Sequence, residues 1–234
     1  MSIQSRPIGR VKKHRVFLVD DHPLVRRGLA NVIAAETDLE VCGEASDVLE
    51  ALHDVEKAGP DIVVVDLSLK SGHGIDLIEQ LKAKDERIKT LVSSMHDEML
   101  FAERVLRAGA MGYVSKQEPP ETLLQAIRQV LRGEVYLSPR MTNRLLRGVA
   151  TGALPQRNPI QGLSNRELEV YEMIGQGLTV QQIAGKLNLS PKTVETHREK
   201  VKQKLNLQRS AELNRRAVQW VLEGERPSTD SGPN

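Results

Sequence analysis

Five side chains suited to phosphoryl transfer stand at the ends of short apolar runs. The run Val16-Phe17-Leu18-Val19 ends in Asp20 and Asp21, and Ile62-Val63-Val64-Val65 ends in Asp66. Ser94 closes a third run at Thr90-Leu91-Val92, and Lys116 follows a fourth at Gly112-Tyr113-Val114. Three carboxylates brought together repel one another, and some must take up protons unless a cation neutralises them. Magnesium answers that need, since it prefers oxygen ligands and binds through one or two carboxylates, waters and phosphate oxygens. A carboxylate can also act as nucleophile and become an aspartyl phosphate. A hydroxyl and an ammonium nearby would position and neutralise the transferred group, which is most of what such catalysis requires. Taken singly, an aspartate after a strand is commonly a turn former. The combination at four strand ends argues for a site.

The runs must be strands of one sheet for this to hold. Apolar residues at successive positions, as in 62–65, indicate strands buried on both faces. A further run, Leu39-Glu40-Val41-Cys42, completes five. Between the runs lie segments of helical period at about 23–35, 47–57, 74–83, 97–108 and 119–132. In the last, Leu123, Leu124, Ile127, Val130 and Leu131 recur at i, i+3 and i+4. Alternating strand and helix predicts an α/β, doubly wound parallel sheet. With strand order 2-1-3-4-5, the first and third strands meet where the order reverses, and ligands bind beyond the carboxyl ends there.

After residue 132 the pattern changes. A short helix near 139–148 follows Ser138-Pro139, and 151–161 carries Gly152, Pro155 and Pro159 among polar residues, as linkers do. Beyond it the strands stop, and 164–174, 179–187, 190–205 and 209–222 read as helices. Ser164-Asn165-Arg166-Glu167 is a capping box, and Ser190-Pro191 places a hydroxyl at the N-cap with proline at N1. The expected organisation is an arm at 1–14, an α/β domain at 15–132, a linker with a short helix at 133–161, an all-α helix-turn-helix domain at 162–224 and a tail at 225–234.

The chain has 234 residues and a net charge of only +2, but the charge is uneven. Between Ser190 and Arg216, eight Lys and Arg face three Glu, a local excess of +5 that suits a phosphate backbone. In the helix-turn-helix segment 179–205, Ile183, Ala184, Leu187, Val194, Val201 and Leu205 give the inner faces. That orientation exposes Lys192, Glu195, Thr196 and Glu199 near the start of the second helix, the end that recognition helices place in the major groove. Glu195 could accept from cytosine N4 and Thr196 could meet a thymine methyl. Arg198, Lys200, Lys202 and Lys204 suit phosphates. Helix pattern alone favours an ordinary small bundle over a DNA reader. The single cysteine, Cys42, excludes an intramolecular disulfide, fits a reducing cytosol, and is expected to be a buried structural thiol. No apolar stretch approaches a membrane span, so a soluble cytoplasmic protein is expected. The six histidines look scattered, and no structural metal is assigned to them.

Leu18-Val19-Asp20-Asp21-His22-Pro23, Val65-Asp66-Leu67, Ser94-Met95-His96 and Ala108-Gly109-Ala110-Met111-Gly112-Tyr113-Val114-Ser115-Lys116 resemble receiver domains of two-component response regulators of the NarL/FixJ type, over about 15–132. Leu163-Ser164-Asn165-Arg166-Glu167 with Glu169-Val170, Ile183-Ala184, Ser190 to Arg198, and Lys204-Leu205 are similar to the LuxR-type DNA-binding domain, over about 160–223. The resemblance implies a flavodoxin-like receiver, phosphorylation of Asp66 by a histidine kinase, and Mg²⁺ bound by Asp21, Asp66 and the backbone carbonyl of Ser68, with Asp20 acting through water. It implies that Ser94 and Lys116 meet the phosphoryl group, that Tyr113 is an aromatic switch, and that Thr179, Lys192, Thr193, Glu195, Thr196, His197, Arg198, Lys200, Lys202 and Lys204 lie on promoter DNA. A homodimer through the last helix, with Ala211, Val218 and Trp220, is implied on phosphorylation, with RNA polymerase a possible further partner and no membrane.

This sequence departs from the family pattern at Leu69-Lys70-Ser71, at Gln117 in place of a common proline, at Met95 in place of a small residue that leaves more open access, and at Val180-Gln181. Gln117 makes a cis peptide unexpected. The implied protein is a transcription regulator, not an enzyme. Two other readings remain: a constitutive DNA-binding protein whose receiver serves assembly, and an aspartate-based phosphohydrolase, which would need an acid/base Asp where Ser68 stands.

Overall fold

The computed structural model describes residues 13–69, 72–150 and 159–225. Most of the expected arm and tail, Lys70-Ser71 and the centre of the linker lie outside them.

Strands β1 (His14–Val19), β2 (Leu39–Ala45), β3 (Ile62–Val65), β4 (Lys89–Ser94) and β5 (Tyr113–Ser115) form one parallel sheet in the order β2-β1-β3-β4-β5. Helices α1 (Pro23–Ala34), α2 (Val48–Ala58), α3 (Gly74–Lys84), α4 (Glu98–Ala108) and α5 (Pro120–Leu131) connect and follow the strands. Successive strand residues point to opposite faces. Val16, Leu18, Ile62, Val64 and Leu91 therefore pack with Leu123, Ile127 and Val130 of α5. Phe17, Val19, Val63, Val65 and Val92 pack with residues of α2, α3 and α4. The strand order confirms the expected reversal between β1 and β3, and both strands end there in carboxylates. Cys42, expected buried, is half-buried, because β2 is an edge strand. No cis peptide bond occurs among the described residues.

The segment after α5 stays on the sheet. Gly112 and Tyr136 form a parallel bridge, and Tyr113 N–H donates to Tyr136 O at 3.0 Å. The next helix, α6 (Pro139–Ala150), buries Met141 and packs on α4.

A 3-10 turn (Pro159–Gly162) leads into α7 (Asn165–Gly175), α8 (Val180–Lys186), α9 (Pro191–Lys204) and α10 (Ser210–Glu225). The expected capping box forms: Ser164 Oγ accepts from Glu167 N–H at 3.3 Å, and Glu167 accepts from Ser164 N–H at 2.8 Å. Ile183, Ala184, Leu187, Val194, Val201 and Leu205 are all buried, as the pattern requires. Trp220, expected at a dimer contact, packs against Tyr171 with ring centroids 5.3 Å apart and the rings tilted by 44°. Ala211, Val218 and Leu222 face solvent on another side of α10.

The two units touch. Helix α10 meets α4, and the apolar cluster beneath α2–α4 continues through Ile160 and Leu163 into the helical core. Among the described residues no helix is long and apolar enough to cross a membrane.

Candidate phosphoryl-acceptor site and DNA-binding unit

Asp20, Asp21 and Asp66 converge at the carboxyl end of the sheet, each less than a tenth exposed. Ligand atoms of these three and of His22 all lie within 4.8 Å of one another. Lys116 Nζ reaches Asp66 Oδ2 at 2.6 Å and Asp20 Oδ2 at 2.7 Å. The Ser94 hydroxyl lies beside Asp66 and Tyr113, and it accepts from His96 N–H at 3.4 Å. Burial pushes the Asp66 carboxyl upward, and the Lys116 ammonium only partly opposes it. Burial also works against the charge on Lys116, but Asp66 and Asp20 outweigh it and keep the ammonium protonated. Tyr113 is fully buried, with its hydroxyl donating to His96 O at 2.7 Å.

The donor set fits a hard divalent cation. Asp20 Oδ2 and Asp21 Oδ1 are buried and receive no well-formed hydrogen bond. Lys116 brings positive charge to the first, and the His22 ring Nδ1 lies 2.6 Å from the second. His22 corrects the expectation that every histidine stands apart from acidic clusters. It is exposed, and a nitrogen donor suits Mg²⁺ less well than the carboxylates do.

Gly74 has a tight role. Its N–H donates to Leu67 O at 2.7 Å, and a Cβ there would overlap the Asp66 carbonyl oxygen. Glycine thus lets α3 begin directly against the acceptor's own backbone. Met95 is 62% exposed.

Sequence reasoning missed a second buried cluster beside the first. Ser68 Oγ donates to Glu169 Oε1 at 2.8 Å and contacts His96 Nε2 at 2.9 Å. His96 Nε2 pairs with Glu169 Oε1 at 3.2 Å, while His96 Nδ1 pairs with Glu172. His73 Nε2 stands 3.5 Å from Glu169. Burial alone would strip the proton from His96, but Glu169 and Glu172 hold its pKa up to about 10. Burial would likewise raise Glu169, yet its cationic neighbours bring it down to about 2. Burial keeps His73 neutral, so His96 and Arg166 carry the countercharge. Glu169 and Glu172 belong to α7, so this cluster joins the two units. At its edge, Arg104 donates to Leu163 O and Ile160 O, each at 2.8 Å, and to Asn165 Oδ1 at 3.2 Å.

In the helical unit, Lys192, Glu195, Thr196 and Lys200 on α9 are exposed, while Thr193, His197, Arg198 and Lys202 are half-buried. Arg198 pairs with Glu195 at 3.5 Å and Lys202 with Glu199 at 2.8 Å. Lys204, also expected on a phosphate, pairs here with Glu167 at 2.7 Å, because the capping box brings that carboxylate to the end of α9. Thr179 caps α8 by accepting from Gln182 N–H at 3.3 Å.

The first unit matches the response regulator receiver domain over residues 16–128, and the second matches the bacterial regulatory proteins of the luxR family over 161–217. The oxygen regulatory protein NreC of Staphylococcus carnosus is 35% identical over 89% of this chain and 98% of its own. The chain belongs to the NarL/FixJ-type response regulators. The transcriptional regulatory protein UhpA of Escherichia coli is 36% identical to this regulator over 86% of it and 96% of UhpA. Among solved structures, RcsB of Salmonella enterica, bound to promoter DNA in the presence of phosphomimetic BeF3-, has a TM-score of 0.58 at 27% identity, covering 89% of the regulator and all of the RcsB chain. The regulator thus combines a receiver with a LuxR-type DNA-binding domain, and its function is phosphorylation-controlled regulation of transcription.

Proposed function

We propose that Asp66 accepts the phosphoryl group of a cognate histidine kinase and that its charging changes dimerisation and promoter binding. The observation that carries this is the gathering of Asp20, Asp21, Asp66, Ser94 and Lys116 in one buried pocket at the ends of β1, β3, β4 and β5. In this reading Asp20, Asp21, Asp66 and the Ser68 carbonyl hold Mg²⁺, which when bound neutralises the crowded carboxylates and the incoming phosphate. Lys116 moves from its carboxylate partners to the new phosphoryl oxygens, and Ser94 donates to another. Tyr113 and the His96 carbonyl follow, since they are hydrogen-bonded to that loop. Phosphorylation adds about −1.5 to −2 charge and three acceptor oxygens, enough to reorganise the contacts that meet α7.

The DNA-binding domain, about 162–224, would read promoter DNA through Lys192, Thr193, Glu195, Thr196 and His197, with Thr179, Arg198, Lys200 and Lys202 toward phosphates. The receiver, about 15–132, is connected to it by the 133–161 segment. Two copies would meet through the exposed Ala211, Val218 and Leu222 face of α10. A cytoplasmic location and contact with RNA polymerase belong to the same reading. Ser68, engaged by Glu169, stands where an aspartate-based phosphohydrolase would carry its acid/base aspartate. Beryllofluoride with Mg²⁺ should raise the dimer fraction and promoter affinity of the full chain, and Asp66→Asn should abolish both responses. DNA binding indifferent to both would identify a constitutive regulator instead.

A further inference from the structure

The receiver loops that carry Ser68 and His96 are grasped by carboxylates of the other unit. Ser68 stands two residues beyond Asp66, and His96 two beyond Ser94, so each loop begins with a group of the acceptor pocket. Glu169 and Glu172 are 0% and 1% exposed, which places both carboxylates inside the contact, not at its rim. The described side-chain hydrogen bonds of Glu172 all run to the receiver, to His96 Nδ1 and to Asp97 N–H at 3.4 Å. Glu169 divides its bonds between Arg166 of its own helix and the receiver's Ser68.

We infer that Glu169 and Glu172 are positioning residues of the phosphoryl pocket, and that their docking slows the charging of Asp66. This rests on Asp66 being the acceptor. A physical argument gives the sign. For Ser94 to approach a phosphoryl oxygen, the backbone at 94–97 must shift, and Glu172 holds both His96 and Asp97 in place. If phosphorylation loosens docking, docking opposes phosphorylation by the same factor, because coupling between two equilibria is reciprocal.

The test uses the full chain with Mg²⁺ and acetyl phosphate, which needs no kinase. An Asp66 carboxylate oxygen attacks phosphorus, a new P–O bond forms, and the P–O bond to the acetyl group breaks. Acetate leaves with that electron pair, so no proton or redox partner is required. Phosphate-affinity gels give the initial rate. Glu172→Lys sets a cation against His96 and removes no described side-chain hydrogen bond within its own unit. Arg104→Met removes the docking bonds at the far edge, away from both pocket loops. Both variants should charge at least about 5-fold faster than the native chain, the lower end of ordinary allosteric coupling. Glu172→Asp should return most of the rate toward native, and beryllofluoride should bind Glu172→Lys more tightly by a comparable factor. A purely structural role would shift melting without moving these rates. Rates equal to or below native in both variants would overturn the inference while leaving Asp66 as acceptor. Absence of Asp66-dependent charging in every form, native included, would remove the proposed function itself.

Discussion

Lys116 sits between two buried carboxylates, so its removal has a specific cost. Breaking one partner out of a buried charged group typically costs about 3–5 kcal/mol, because the remaining charge is stranded. Lys116→Met should therefore lower stability in urea by about 3 kcal/mol without divalent cation, and Mg²⁺ should restore much of it. No difference between the two conditions would argue against Asp20 and Asp66 as cation ligands. Asp20, Asp21, Asp66, Ser94 and Lys116 were legible in the sequence, because each follows an apolar run and the topology dictates where those runs end. His73, His96, Glu169 and Glu172 were not legible as a cluster. Ser68 and Glu169 lie 101 positions apart and meet only through domain docking, which leaves no period or spacing in the chain. The pairing of Lys204 with Glu167 was not legible either, because only folding brings the two together.

Among elements, α3 depends on one missing methyl group. Gly74→Ala would force a Cβ into the Asp66 carbonyl, and overpacking of this kind costs about 1–3 kcal/mol. The acceptor's backbone would shift with it, so phosphoryl incorporation should fall along with the urea midpoint. At α7, burial would raise the Glu167 carboxyl, but Lys204 and the Ser164 N–H hold it below the usual range. A depressed carboxyl contributes stability that is present above its unfolded value and lost as pH falls through the folded one. Unfolding followed by fluorescence of the single tryptophan, Trp220, should thus weaken on acidification. Glu167→Gln, which keeps a capping side chain, should flatten that acid limb. Helix and strand bounds followed the sequence closely, since capping residues and periodicity are local. The Tyr136 bridge and the seat of α6 on α4 were not foreseen, because short polar segments with Gly and Pro look alike whether they span space or pack on a sheet.

For the whole molecule, two functions share one interface. Turning a population from one part in a hundred to ninety-nine takes about 5.5 kcal/mol of differential stabilisation. The docked contact offers several groups through which that energy could act: the Ser68–His96–Glu169–Glu172 network, the Arg104 bonds and the apolar patch around Leu163. On the DNA side, binding led by Lys192, Arg198, Lys200 and Lys202 should weaken steeply with salt, since each phosphate contact releases bound counterions. A fluorescence titration across salt concentrations measures the slope, and a flat response would exclude the basic helix as the contact. Substituting Lys200 with Ala should make that slope shallower by about one unit.

Even with its two halves in contact, the regulator leaves Lys192, Glu195, Thr196 and Lys200 turned to solvent. Closure therefore does not blindfold α9. A lone, uncharged copy would keep a weak, indiscriminate grip on DNA and could scan a chromosome while waiting for its stimulus. Control would then fall on how many copies settle side by side, and the idle state would be leaky by construction.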